Sequence, residues 1–276
     1  MLGAVPKEVQ KLDTLLANSR VYEIAGSAFR IGKWHDHTVL AGATGIGKVN
    51  AAISTAALLA SYDIGQVWNI GCAGCFEQGD LKVGDVLITD AFLCGDEGVL
   101  SAQGVQSARQ IGIPLVAKEE RRYFDAFPAG PLVAQVKERL PAGCYGVGGG
   151  APLMPLPMPD SAGLHAQLDA TFQLAYGPSL SVGMVSGDPE VARQRYGRYR
   201  ALAENMEGSA IAQTCLRFGK PFVECRGMSN TVGDRNKRRW QLEKAIAHCH
   251  AVLLNWLSAA AQPPLAIAES ASNHPD

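Results

Sequence analysis

Short apolar runs that end in glycine or polar turns recur from one end of this 276-residue chain to the other. Residues 21–24, 28–31, 38–41, 67–70, 86–90, 180–185 and 221–225 have the length and the aliphatic, β-branched character of buried strands. Between them lie stretches with helical spacing. In residues 7–18, Val9, Leu12, Leu15 and Leu16 mark one face, and residues 49–61, 131–140 and 209–218 read as further helices. Alternation of this kind, with no internal linker and no repeat, constrains the chain to one α/β domain over residues 1–261. Residues 262–276, small and polar after Pro263-Pro264, are expected to form a disordered tail.

Composition excludes several classes of function. A formal net charge of −1 gives no field for holding nucleic acid or an anionic membrane. The best candidate for a membrane span, residues 39–60, is broken by Lys48 and Asn50. Residues 1–6 lack the basic start and apolar core of a secretory signal. The seven cysteines are an odd set among apolar neighbours, which suits reduced thiols in a cytoplasm.

The chemistry-bearing residues follow the strands. Residues 221–225 read as a strand running into a polar turn, where Arg226, Ser229 and Asn230 appear together. Ligand sites of open α/β sheets lie at the carboxyl ends of strands, and a serine beside an asparagine can address a planar heterocycle. Gly42-Ala43-Thr44-Gly45-Ile46-Gly47-Lys48 has P-loop spacing up to the lysine, but Val49 offers no hydroxyl for magnesium, so a tight turn near a ligand is expected rather than an ATP site. Gly71-Cys72-Ala73-Gly74-Cys75 carries a Cys-x-x-Cys spacing that a glycine-lined turn explains by backbone needs alone. His35 and His37 sit in a hairpin turn with no further metal ligands near them in sequence. Glu8 falls in the first turn of its helix, where the helix dipole favours a carboxylate. Glu207 lies in an apolar setting and must find hydrogen bonds, either from a pair of sugar hydroxyls or from a backbone turn.

Taken in order, these segments resemble a known family. Gly3-Ala4-Val5-Pro6-Lys7-Glu8-Val9, Thr44-Gly45-Ile46-Gly47-Lys48-Val49, Asn69-Ile70-Gly71-Cys72-Ala73-Gly74, Leu81-Lys82-Val83-Gly84-Asp85, Val185-Ser186-Gly187-Asp188, Asn205-Met206-Glu207-Gly208 and Arg226-Gly227-Met228-Ser229-Asn230 are similar to successive motifs of the purine nucleoside phosphorylase and nucleosidase superfamily. Gly95-Asp96-Glu97-Gly98 and Ser229-Asn230-Thr231-Val232-Gly233-Asp234-Arg235 resemble its futalosine hydrolase branch, which releases hypoxanthine from futalosine in menaquinone synthesis.

The resemblance implies a single-domain three-layer α/β sandwich with a twisted mixed sheet, and an N-glycosidic bond as target. Asn69-Ile70 and Lys7-Glu8 stand where the phosphorylases place phosphate-binding arginines, so water is the expected nucleophile. It implies Glu8 as the general base, Glu207 as acceptor from the ribose 2′ and 3′ hydroxyls, Arg226 as support for the water, and Asn230 as reader of the leaving base. An asparagine accepts from a protonated N7 and donates to a 6-oxo group, whereas an aspartate there suits adenine. Cys72, Ala73, Gly74, Asn205, Met206 and Ser229 complete the expected substrate contacts. Cys72 stands where a serine often helps hold the water, and Tyr196 is the candidate base platform. Arg109, Arg121, Arg122 and Arg193 are candidates for a benzoate tail. The resemblance implies no metal or cofactor, a small nucleoside as substrate, and a homo-oligomer in which a neighbour helps close the site. Methylthioadenosine or adenosylhomocysteine nucleosidase, purine nucleoside phosphorylase and a non-catalytic storage relative remain as alternatives.

Overall fold

The computed structural model describes residues 1–102, 104–146, 154–155 and 171–259. The chain opens with β1 (Leu2–Gly3), α1 (Pro6–Asp13), β2 (Ala17–Ile24), β3 (Ser27–Trp34), β4 (His37–Ala43) and α2 (Lys48–Ser61). Then come β5 (Val67–Cys75), β6 (Val86–Cys94), β7 (Gly98–Ser101), β8 (Gly104–Ser107), β9 (Val116–Lys118), β10 (Arg121–Tyr123), β11 (Ala126–Pro128) and α3 (Pro131–Arg139). The last part holds β12 (Gly143–Gly146), β13 (Met154–Pro155), β14 (Thr171–Ser181), α4 (Pro189–Tyr199), β15 (Ala203–Asn205), α5 (Gly208–Phe218), β16 (Phe222–Thr231) and α6 (Leu242–Ala259).

Among the described residues, twelve strands form one mixed sheet in the order β13-β12-β14-β6-β16-β5-β1-β4-β3-β2, with β11 on β6 and β15 between β14 and β5. β16 lies parallel to β5 and antiparallel to β6, which places it at the centre of the sheet. Apolar side chains of α1, α3 and α6 pack on one face, among them Leu12, Val136 and Leu253. Those of α2 and α5, including Leu58 and Ile211, pack on the other. The expected three-layer α/β arrangement is therefore the observed one.

Strand and helix limits differ from expectation at informative places. The segment expected to turn after Cys225 continues as strand through Thr231, with a register shift between Met228 and Asn230. Likewise β5 does not end at Ile70 but runs on through Cys75. Both segments stay extended because each has a sheet partner to satisfy its backbone groups along that length, which no local pattern announces. The helix expected over residues 7–18 stops at Asp13, since residues from Ala17 onward pair with β3. Most of the irregular loop expected over residues 146–159, and the tail expected over 262–276, lie outside the described residues.

Candidate functional site

Strand alternation sorts β16 into two faces. Cys225 turns toward α6, where its Sγ lies 3.4 Å from that of Cys249. Glu224 and Arg226 turn the other way and are both fully buried. A buried guanidinium is tolerable only when paired. Arg226 Nη2 donates to Glu224 Oε2 at 3.2 Å and to Glu207 Oε2 at 3.4 Å, and Nη1 donates to the Cys72 carbonyl at 3.4 Å. Burial alone would depress the guanidinium, but Glu224, Glu207 and Glu8 together raise it above its ordinary value.

Glu8 projects from the first turn of α1, as its position after Pro6 predicts. Its Oε2 accepts from the amides of Ala4 at 2.7 Å and Val5 at 3.2 Å, which caps the helix. Its Oε1 reaches across to the amide of Cys72 at 2.8 Å, joining α1 to the far half of β5. Residue 71 is glycine for this approach: a Cβ there would stand 2.3 Å from Glu8 Oε1. His250, on α6, braces the same turn from below, with Nε2 donating to the Glu8 carbonyl at 2.6 Å. Burial lowers the His250 imidazole to about 4, so the ring is neutral and its one proton sits on Nε2.

Glu207 precedes α5. Its Oε1 accepts from the Gly47 amide at 3.0 Å, so the glycine turn with P-loop spacing is bound to a carboxylate, not shaped around a phosphate. Burial raises the Glu207 carboxyl above its ordinary value. Arg226 and the Gly47 amide pull it back, while Glu8 and Glu224 push it further up. Lys48 pairs with Asp96 and, at 2.8 Å, with Glu97. Asp96 and Glu97 are thus partly buried ion-pair partners that tie the turn to the end of β6.

The other end of the site carries no charged side chain. Ser229 Oγ lies 3.2 Å from the Ala73 carbonyl and 2.8 Å from Asn230 Oδ1, and its single proton serves one of them at a time. Asn230 Nδ2 donates to the Thr231 carbonyl at 2.9 Å. A carbonyl can only accept, so this contact fixes which end of the amide is nitrogen. One N–H and one lone pair of the Asn230 amide then remain for a ligand. Gly74 pairs with Asn230 across β5 and β16, and Met206 is half-buried beside Glu207.

Of the expected site residues, Glu8, Cys72, Glu207 and Arg226 come together directly, and Ala73, Gly74, Ser229 and Asn230 line the adjoining strands. Asn205 does not present its side chain to a ligand. Its Oδ1 accepts from Ser181 Oγ and from the amides of Glu207 and Gly208, and its Nδ2 donates to Ser179 Oγ and Glu224 Oε1. Tyr196 is engaged elsewhere, packed on Phe76 with Arg200 over its ring. Among the tail candidates, Arg193 pairs with Glu190 and Arg109 lies over Phe124, while Arg121 and Arg122 are exposed. The Cys-x-x-Cys residues point apart, Cys72 toward the Leu242 carbonyl and Cys75 toward that of Asn230. Burial, and for Cys72 the Glu8 carboxylate, push both thiols up, that of Cys75 to about 11, so neither is a ready nucleophile.

Glu224 went unread in the sequence. It accepts from Thr89, Ser179 and Asn205 on Oε1 and from Asn69 and Arg226 on Oε2. The available signal was one acidic residue inside an apolar strand, two positions before an arginine. A separate apolar cavity of about 380 Å³ lies where β1 and β5 begin, lined by Leu2, Val39, Leu58, Val67 and Trp68, at the opposite end of β5 from Cys72. Its lining is mainly apolar, with Asp63 its one carboxylate, and offers no counterpart to the carboxylate cluster. No helix among the described residues is long and apolar enough to cross a membrane, and no three His, Cys, Asp or Glu side chains among them are grouped to hold a metal.

Comparison with known proteins agrees with this arrangement. The family model described as the phosphorylase superfamily matches residues 1–258. The futalosine hydrolase of Thermus thermophilus is 31% identical over 204 residues, covering 74% of each chain. A 5′-methylthioadenosine/S-adenosylhomocysteine nucleosidase of Marinomonas is 29% identical over 248 residues, covering 87% of this chain and 89% of its own. Among solved structures, the corresponding nucleosidase of Colwellia psychrerythraea in complex with adenine is similar with a TM-score of 0.71 at 25% identity, covering 93% of both chains. A futalosine hydrolase mutant of Helicobacter pylori shares the fold, with a TM-score of 0.70 at 20% identity over 94% of this chain and 97% of that one.

Proposed function

The chain belongs to the phosphorylase superfamily, and we propose that it is a nucleosidase that hydrolyses the N-glycosidic bond of futalosine, releasing hypoxanthine. The observation that carries this reading is Asn230. In this reading its free N–H donates to a 6-oxo group and its free lone pair accepts from a protonated N7, in the orientation that the Thr231 carbonyl holds. The 31% identity to a futalosine hydrolase supports it.

In this reading Glu8 holds and polarises the attacking water, which adds to the anomeric carbon as the bond to N9 breaks and its electron pair passes to the purine. Glu207 accepts from the ribose hydroxyls, and its charge, with that of Glu8, favours the oxocarbenium character of the sugar. Arg226 keeps both carboxylates in place through Cys72 and Glu207. Cys72, Ala73, Gly74, Met206 and Ser229 are the remaining substrate contacts. Asn230 cannot act as an acid, so departure of the base rests on hydrogen bonding and on a proton from solvent. Lys7-Glu8 and Asn69-Ile70 stand where phosphate-binding arginines are expected in the phosphorylases, which favours water over phosphate. Seven free thiols fit a reducing cytoplasm as the place of action.

A second copy of the chain is the proposed cover for Ile46, Val49 and Ile53, which are exposed on one side of α2 and the turn before it. A monomer in analytical ultracentrifugation would remove that part of the proposal. Methylthioadenosine or adenosylhomocysteine hydrolysis is the second reading, favoured by the names of several relatives. Purified protein incubated with futalosine in phosphate-free buffer is expected to release hypoxanthine. A strict need for phosphate, or turnover of adenine nucleosides alone, contradicts the proposal.

A further inference from the structure

We propose that Glu224 is a positioning residue for the ribose end of the site: by sharing Arg226 with Glu207 it keeps Glu207 a free acceptor for the sugar hydroxyls. The inference rests on the nucleosidase reading above and adds to it a residue outside the expected set.

The two glutamates that meet Arg226 are satisfied to different degrees. Glu224 is fully buried and takes donors from Thr89, Ser179, Asn205, Asn69 and Arg226, which uses its acceptor capacity. Among the described residues, Glu207 takes only the Gly47 amide and the longer of the two Arg226 contacts, 3.4 Å against 3.2 Å. A carboxylate has about four lone-pair sites, so Glu207 keeps unfilled ones and Glu224 does not. An arginine left alone with a carboxylate closes on it as a two-pronged fork. Here the same Nη2 is held by Glu224, two residues earlier on the same strand face, and the fork to Glu207 stays open. Arg226 Nε has no partner among the described residues, as expected of a guanidinium held between two anions and not seated squarely on either.

The charge count points the same way. Glu8, Glu207 and Glu224 surround the single positive charge of Arg226, leaving an excess of negative charge beside the position of the sugar. Without the Glu224 charge, Arg226 would neutralise Glu207 and fill the lone pairs the hydroxyls need.

The test compares kcat/KM for futalosine and for its 2′-deoxy analogue. Glu224→Gln keeps the shape and removes the charge. It is expected to lower the rate on futalosine about tenfold and that on the 2′-deoxy analogue by about threefold, because the analogue offers Glu207 the 3′ hydroxyl alone. Asn69→Leu removes the donor that competes with Arg226 for Glu224 Oε2, so it should draw the guanidinium toward Glu224 and leave the ribo-to-deoxy ratio at or above that of the wild type. Circular dichroism melts establish that each variant is folded, and if Glu224→Gln is not, the ratio in Asn69→Leu decides. Parallel loss on both substrates, no loss on either, or a narrowed ratio in Asn69→Leu overturns the assignment of Glu224. Wild-type protein that releases no base from either substrate overturns the functional reading itself, a distinct result.

Discussion

In the proposed reading, the ribose and base ends of the site are built differently. At the ribose end the contacts run between segments far apart in the chain, with Glu8 bonded to residue 72 and Glu207 to residue 47, and every charged member is buried. At the base end the contacts are uncharged: Ser229 and Asn230 bond to each other, to the next residue and, through Ser229 Oγ, to Ala73, and Asn230 is half-buried. Long-range, charge-dense construction suits chemistry common to every nucleoside hydrolysis, because the oxocarbenium character of the sugar does not depend on the base. A short polar segment at the end of one strand can change which base is read without disturbing that machinery. On the proposed reading, reaction type and substrate choice are separable, down to single residues.

Substitutions at the ribose end should break turnover for every substrate. Glu8→Gln keeps the size of the side chain but removes the base, and a loss of about 10³ in kcat is expected with substrate affinity largely intact. A rate near that of the wild type, measured by base release, would show that another group activates the water. Glu207→Gln is expected to lower kcat about 10² through loss of charge beside the developing cation.

The same Glu207 substitution should also stabilise the protein. Burial places the Glu207 carboxyl above its unfolded value, so the ionised form is disfavoured in the folded state. Its contribution to stability is fully present below the unfolded pKa and is lost as pH rises through the folded one. Glu207→Gln removes that loss, and its melting midpoint at pH 7 should exceed that of the wild type, with the difference shrinking toward pH 4. A lower midpoint at pH 7 would mean that the Arg226 pairing outweighs burial.

How much was legible follows the same division. The base end could be read from Ser229 and Asn230 alone as polar groups at a strand end, although the sheet carried that strand further than local pattern suggested. Glu8 read locally as a helix-capping acid, and it is one: the same carboxylate caps α1 and reaches Cys72. Only the ordered set of motifs raised the second role. Asn205 was placed with the ligand by the motif it shares with Glu207, yet its amide is spent on α5 and Glu224. Glu224 stayed hidden because its meaning depends on Asn69, Thr89 and Ser179, which approach it only when β5, β6 and β14 assemble around β16. A single charge in an apolar strand is ambiguous until its partners are known.

The claim that one amide selects the base is tested most directly by a one-pot competition. Wild-type protein and Asn230→Asp are each given equal concentrations of futalosine and methylthioadenosine without phosphate, and the released hypoxanthine and adenine are quantified together. The wild type should release hypoxanthine in excess. The aspartate should lose about tenfold in hypoxanthine release and gain in adenine release, since it can share a proton with N7 and accept from a 6-amino group. An unchanged product ratio, or an excess of adenine from the wild type, would contradict the account.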